Sequence, residues 1–273
     1  MTRKWKQNAV EKTIAAGIPK TRTPDTDLTR FWRTEYGWRN IRLITTRMCN
    51  SFWAAIDASG ANLFVKSGRH SGLYENEYQM ARALYDLNQD NFLRPVCYRD
   101  YDENQFVAME FAAGPSLTTA ICTNMLSGAD KARMIADLWR IFCALRASDV
   151  VHRDVRPDNF MIWRGHLVLI DFQLAVSKSN YHELDYFQEK PTRLRNLGNR
   201  RYRRRQFMWD DAYSMMRVME YIGYDKSYAM RWRVIYNRIR ATVGDTVIVA
   251  PKSLREGFVR RTQRHARKLL AKF

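Results

Sequence analysis

Acidic side chains are scarce in this 273-residue chain: 28 Asp plus Glu stand against 46 Lys plus Arg, a formal net charge of +18. The imbalance points to an anionic partner (nucleic acid, acidic lipid headgroup or phosphorylated glycan) without choosing among them. Cysteine is sparse as well. Cys49, Cys97, Cys122 and Cys143 lie far apart, with no CxxC pair and no nearby His cluster. That spacing supports neither a zinc site nor a redox motif and leaves buried free thiols as the expectation. Long apolar runs are missing: none reaches the roughly 18 to 20 residues of a membrane span. The basic N-terminus is not followed by the apolar core of a signal peptide, so a cytoplasmic chain is expected, at most peripheral on the cytoplasmic face of the inner membrane. What the chain does have is 46% hydrophobic and 13% aromatic residues. That is enough to bury a core and excludes disorder, and the length suits one large domain or two lobes.

Polar residues with Pro19 and Pro24 dominate the first 30 positions, and residues 1–40 read as a basic arm or extension, with at most a short helix. The runs IRLITT (41–46), SFWAAID (51–57) and NLFVK (62–66) are rich in β-branched and aromatic residues. Turn-like stretches separate them, which predicts an antiparallel meander. In LYENEYQMARALYDL, helical spacing groups Leu73, Met80, Leu84 and Leu87. QFVAMEF (105–111) predicts another strand, ended by Gly114 and Pro115. Beyond it, ADKARMIADLWRIFCALRAS places Met134, Leu138, Ile141, Phe142 and Leu145 on one helical face. A strand-rich front therefore passes into a helical back.

One stretch resists both a helix and a surface loop. VVHRDVRPDNFMI (150–162) sets a His, two Arg, two Asp and an Asn between apolar flanks. Pro157 would break a helix, the charges share no face, and a solvated loop has no use for Val150, Val151, Phe160 and Ile162. A polar catalytic loop held against a core fits. Asp171, in LVLIDFQLA, follows twelve residues after Asn159.

His152, Arg153, Asp154, Asn159 and Asp171, in that order and spacing, resemble the catalytic loop and metal-binding triplet of the protein-kinase superfamily. The resemblance spans roughly residues 40 to 222. It implies an α+β, two-lobed protein-kinase-like fold: a small antiparallel-sheet N-lobe plus helix over 41–111, and a larger helical C-lobe over 112–273. It further implies ATP and Mg2+ as cofactors. Lys66 would hold the α and β phosphates, paired with Glu77 or, less well matched, Glu75. Met109 would gate the back pocket, while the Glu110 carbonyl and Ala112 amide would bond the adenine edge. Asn159 and Asp171 would hold the metal, Asp154 would orient or deprotonate the acceptor hydroxyl, and Arg156 would neutralise the γ phosphate. In WDDAYSMM, Asp211 matches the residue that supports the catalytic-loop backbone.

Departures from that pattern carry their own expectations. TRMCNS (46–51) has no glycine where a phosphate-covering loop belongs, so Arg47, Asn50 and Ser51 would have to substitute. Phe64 stands where a small residue usually lies over adenine, and Gln173 replaces a glycine that tolerates positive φ. No Ala-Pro-Glu follows, and RLRNLGNRRYRRR (193–205) holds seven arginines. This profile is similar to bacterial kinases of lipopolysaccharide-core heptose or Kdo sugars, which implies an anionic glycolipid or sugar as acceptor. The final residues, from 252, could form a basic amphipathic helix suited to an anionic membrane surface. Three alternatives stand beside that reading: a Ser/Thr protein kinase, a pseudokinase or anion-binding scaffold, and a nucleic-acid binder.

Overall fold

The structure is a computed structural model that describes residues 26–47, 50–69, 72–179, 198–223 and 230–249. The basic segment from 252 onward lies outside them. Two compact units result. One contains the described residues up to Ser148 together with Pro157–Ala175; the other contains Asp149–Arg156 and the described residues from Val176 onward.

The first unit is built on a five-stranded antiparallel sheet of order β1-β2-β3-β5-β4. Its strands are β1 (Arg39–Arg47), β2 (Asn50–Ile56), β3 (Asn62–Arg69), β4 (Pro95–Tyr101) and β5 (Asn104–Glu110). Alternation along these strands separates two chemistries. Trp53, Ala55, Leu63, Val65, Phe106 and Ala108 belong to one core. On the opposite face, Phe64 pairs across the strands with Ala54 and Met109, and Lys66 with Phe52 and Val107.

Helix α1 (Asp27–Tyr36) covers the first face. A capping box between Thr26 and Thr29 starts it, and Gly37, at φ 63°, ends it. Trp32 and Trp38 are buried in the same core as Trp53 and Phe106. The Trp53 indole donates to Ser67 Oγ at 2.9 Å, so its one polar atom is satisfied. Within the segment expected as an arm, the described part thus includes a helix whose Trp32 is fully buried.

Helix α2 (Leu73–Leu87) follows the sheet, turned differently from its apolar pattern. The buried stripe is Leu73, Tyr74, Glu77, Ala81 and Leu84, whereas Leu87 is 56% exposed. A buried carboxylate at Glu77 sets the rotation, because it has a cationic partner waiting in the sheet.

After α3 (Leu117–Cys122), helix α4 (Gly128–Ala147) begins at a Ser127–Asp130 capping box and buries all five apolar residues expected on its face. The hairpin of β7 (Phe160–Trp163) and β8 (His166–Leu169) pairs Phe160 with Leu169. Gly114 lies against this hairpin: a Cβ added there would collide with the Ile162 carbonyl oxygen, a backbone atom that cannot swing aside. Gly114→Ala is therefore expected to lower unfolding stability by about 3 kcal/mol. Gly128→Ala, which meets nothing within 4 Å, is the neutral comparison in the same denaturant titration.

The second unit pairs β6 (Val150–Val151) with β9 (Val176–Ser177), and β10 (Met208–Trp209) with β11 (Ile248–Val249). Its helices are the short α5 (Asn199–Tyr202), then α6 (Asp211–Ile222) and α7 (Met230–Ala241). Met215, Val218, Met219 and Ile222 of α6 and Ile235 and Ile239 of α7 are buried. Among the described residues, no helix is long and apolar enough to cross a membrane.

Candidate active site

Each unit assembles its own part of the predicted chemistry. In the first, Lys66 Nζ donates to Glu77 Oε1 at 2.6 Å and to Asp171 Oδ1 at 2.8 Å. Strand alternation puts Lys66 on the inner face, α2 brings Glu77 to it, and Asp171 follows the end of β8. Glu75, the alternative partner, is exposed. Burial disfavours the Lys66 ammonium, but Asp171 and Glu77 outweigh it and raise its pKa, so it stays charged. Burial raises the Glu77 carboxyl to about 7, opposed chiefly by Lys66.

Pairing in the β7–β8 hairpin places Asn159 and Asp171 at the same end: the Ile170 amide donates to the Asn159 carbonyl at 3.0 Å. Asn159 is buried, and the Asp171 side chain is 43% exposed. Among the described residues no group of three or more His, Cys, Asp or Glu could hold a metal. An Asp and an Asn are nevertheless a fitting oxygen donor pair for Mg2+, which commonly takes one or two protein carboxylates and completes its shell with phosphates and water.

Met109 is buried on β5 between Phe64 and Pro95. The Glu110 amide is already bonded to the Arg94 carbonyl at 2.9 Å, and the Glu110 carboxylate meets Arg164 at 3.2 Å. Ala112 is buried two residues on. Phe64 forms an aromatic row with Phe52 and Phe111, at centroid distances of 6.0 and 6.3 Å. In the turn expected to replace a glycine-rich loop, Thr46 and Ser51 hydroxyls face each other at 3.5 Å. Residues 48 and 49 and the Arg47 side chain lie outside the description.

Gln173 has an ordinary negative φ; the left-handed residue is Asp171, at φ 72°. The missing glycine therefore strains nothing in this conformation. Sequence reasoning passed over Asn76, the neighbour of Glu77. Its Nδ2 lies within 2.9 to 3.3 Å of the carbonyls of Phe172, Gln173 and Ala175, clamping the turn after Asp171. Only its place beside Glu77 on α2 could have drawn attention to it, since one asparagine carries no motif.

In the second unit the loop 152–154 is fastened to α6. Asp211 accepts the His152 amide on Oδ2 at 2.6 Å and the Arg153 amide on Oδ1 at 3.1 Å. Asp210 instead caps α6 and accepts the Gly244 amide at 2.9 Å. Buried His152 accepts the Asp154 amide on Nδ1 at 3.2 Å, which places its proton on Nε2 when the ring is neutral. Arg153, buried at φ 66°, sets its guanidinium 5.3 Å from the Trp209 ring centroid. The Asp154 carboxylate is held from both sides: Oδ1 accepts the Gly198 amide at 2.6 Å, and Oδ2 faces Arg156 Nε at 3.4 Å. Gly198 is left-handed, at φ 70°.

Burial pushes the Asp211 carboxyl from 3.8 to about 7, against the two backbone amides that lower it. A folded pKa above the unfolded value means that the native state binds the extra proton. Its contribution to stability is complete below about pH 4 and is lost as pH rises through 7. Between pH 5 and 8 this group is expected to lower stability at up to about 1.4 kcal/mol per pH unit. Urea midpoints at fixed ionic strength check it: the pH slope of wild type should exceed that of Asp211→Asn.

No family model matches the chain. It is similar to serine/threonine-protein kinase DBF20 of Saccharomyces cerevisiae, with 26% identity over 125 residues, 45% of this chain and 22% of that protein. Similarity to serine/threonine-protein kinase cot-1 of Neurospora crassa is 30% over 120 residues, covering 43% of this chain and 18% of the relative. For serine/threonine-protein kinase sax-1 of Caenorhabditis elegans it is 29% over 99 residues, 36% and 21%. The chain spans about a fifth of the length of these relatives. Together with the sheet, helix and loops described above, they make the fold α+β and protein-kinase-like. They also correct the expected partner: the relatives are protein kinases, so an anionic glycolipid or sugar acceptor is set aside. That expectation rested on departures from the protein-kinase pattern together with positive charge, and charge reports the sign of a partner and not its chemistry.

Proposed function

We propose that this kinase-like chain transfers the γ phosphate of ATP to a Ser or Thr hydroxyl of a protein. The observation that carries the reading is the buried Lys66 ammonium, shared by Glu77 and Asp171. A buried cation bonded to two carboxylates on a β-sheet floor is costly for stability alone, but is suited to holding phosphates. Lys66 binds the α and β phosphates, Glu77 fixes its position, and the adenine lies against Met109 and Ala112, under Phe64. Asn159 and Asp171 hold Mg2+, which supplies charge neutralisation at the phosphate oxygens when bound. Asp154 orients the acceptor hydroxyl and takes its proton, with Arg156 steadying that carboxylate and compensating charge near the transferred group.

Two measurements test the reading. ATP with Mg2+ at 100 times its dissociation constant is expected to stabilise the chain by about 2.7 kcal/mol, read as a raised unfolding temperature. Labelled ATP is expected to give phosphoserine or phosphothreonine on a mixed peptide panel. Absence of both a thermal shift at millimolar nucleotide and any labelled peptide would return the chain to a scaffold.

A further inference from the structure

Among the described residues of the second unit, arginines outnumber carboxylates. Of the described acidic residues there, Asp210 and Asp211 are buried and bonded to backbone amides. Asp149 is taken by Ser177 and Ser179, Asp154 by the Gly198 amide and Arg156, and Glu220 by Arg217; the sixth, Asp245, is exposed and also engaged. Arg204 meets Asp210 only at 3.7 Å. Arg200, Arg201 and Arg205 are exposed, and no carboxylate pairs with them among the described residues.

These arginines are placed, not merely clustered. The turn that bears them begins at Gly198, whose amide is bonded to Asp154. A Cβ on Gly198 would lie 3.3 Å from the Arg153 carbonyl, so the turn is seated closely on the loop. Its far side is tied down by Ser214 of α6, which donates to the Tyr202 carbonyl, and by Arg217, whose Nε donates to the Arg201 carbonyl at 3.4 Å. Two residues along a helical turn span about 5 Å between Cα atoms, so Arg200 and Arg201 start within one side-chain length of the residue that touches Asp154. A hydroxyl brought to Asp154 therefore arrives beside a turn whose backbone is tied down and whose Arg200 and Arg201 are exposed to solvent. Arginine forks bind carboxylates and phosphates through paired hydrogen bonds.

We propose that the 200–205 turn recognises anionic side chains, Asp, Glu or phosphoserine, flanking the acceptor residue of a protein substrate. This rests on the kinase reading above. Tyr202, Phe207 and Trp209, the aromatic residues interleaved with the arginines, are all buried. They offer no stacking platform for bases, so the surface fits an acidic peptide better than a single-stranded nucleic acid.

The test uses the full chain with ATP and Mg2+ and one Ser peptide in four contexts: Ala, Asp/Glu, phosphoserine and Lys flanks. The acidic and phosphorylated peptides are expected to exceed the Ala peptide in kcat/KM by about tenfold. The advantage should shrink in high salt, and R200E/R201E should invert it in favour of the Lys peptide. A phosphoserine advantage without an Asp/Glu one would narrow the ligand to phosphate and still support the site. Equal kcat/KM for the Ala and acidic peptides would overturn the inference while leaving the kinase reading intact. If no peptide is phosphorylated and ATP with Mg2+ gives no thermal shift, the kinase reading fails; with or without that shift, fluorescence anisotropy of the same labelled peptides then decides the inference. Tighter binding of the acidic peptide, lost in R200E/R201E, supports it; equal binding overturns it. An oligonucleotide that binds more tightly than the acidic peptide, and through the same arginines, would also overturn it.

Discussion

Asp154→Asn is expected to lower kcat for phosphoryl transfer by about 10² to 10⁴-fold, with the unfolding midpoint and ATP-induced stabilisation nearly unchanged. Asn suits the test better than Ala because the Gly198 amide needs an acceptor at 2.6 Å, and the Asn Oδ1 still supplies one. What the amide lacks is negative charge and basicity, the two properties proposed to orient and deprotonate the acceptor. Nucleotide binding should survive, because Lys66, Asn159 and Asp171 belong to the other unit. Single-turnover transfer with saturating ATP separates the chemical step from binding. Transfer at the wild-type rate would remove Asp154 from the reaction.

Much of this arrangement is legible in the sequence because β-branched and aromatic runs between turn-like stretches speak of strands, and helical spacing of apolar residues speaks of helices. The strands around 41–46, 51–57, 62–66 and 105–111 were visible for that reason, as was the apolar face of α4. The β7–β8 hairpin explains why two oxygen donors twelve residues apart can end side by side. Polar burial is what pattern reading misses. Leu87 is apolar and exposed while Glu77 is charged and buried, because the ion pair with Lys66 outranks hydrophobic period in setting the rotation of α2. Asn76 escaped for a related reason: its partners are backbone carbonyls, which leave no trace in the side-chain sequence. Helix α1 reads as polar arm because two buried tryptophans, Trp32 and Trp38, one of them beyond its end, carry its attachment to the sheet. The glycolipid acceptor fails for a different reason: it rests on a missing glycine-rich loop, a missing Ala-Pro-Glu and a run of arginines, and absent motifs do not specify an acceptor.

Lys66→Met removes the cation and keeps the length of the side chain. It is expected to destabilise the chain by about 3 to 5 kcal/mol, the cost of leaving a buried carboxylate without its partner. Glu77 is fully buried and only 2.6 Å from Nζ, so water cannot replace the ammonium cheaply. The penalty should depend on pH with a definite sign. Burial already raises the Glu77 carboxyl to about 7 with Lys66 present, and losing Lys66 removes the largest influence that lowers it. Glu77 in the variant is then protonated when folded over a wider range. The contribution of that proton to stability is fully present below about pH 4.5 and lost as pH rises through the elevated folded value. The variant should therefore lie closer to wild type at pH 5 than at pH 8. Adding Glu77→Gln to Lys66→Met should recover part of the loss, because a neutral amide costs less to bury than an unpaired carboxylate. Phosphoryl transfer should not recover with it, since the phosphates still lack their cation. Recovery of stability without recovery of transfer separates the stabilising role of Lys66 from the role proposed for it at the phosphates; an Lys66→Met chain as stable as wild type at pH 8 would show that Glu77 never carried charge in the core.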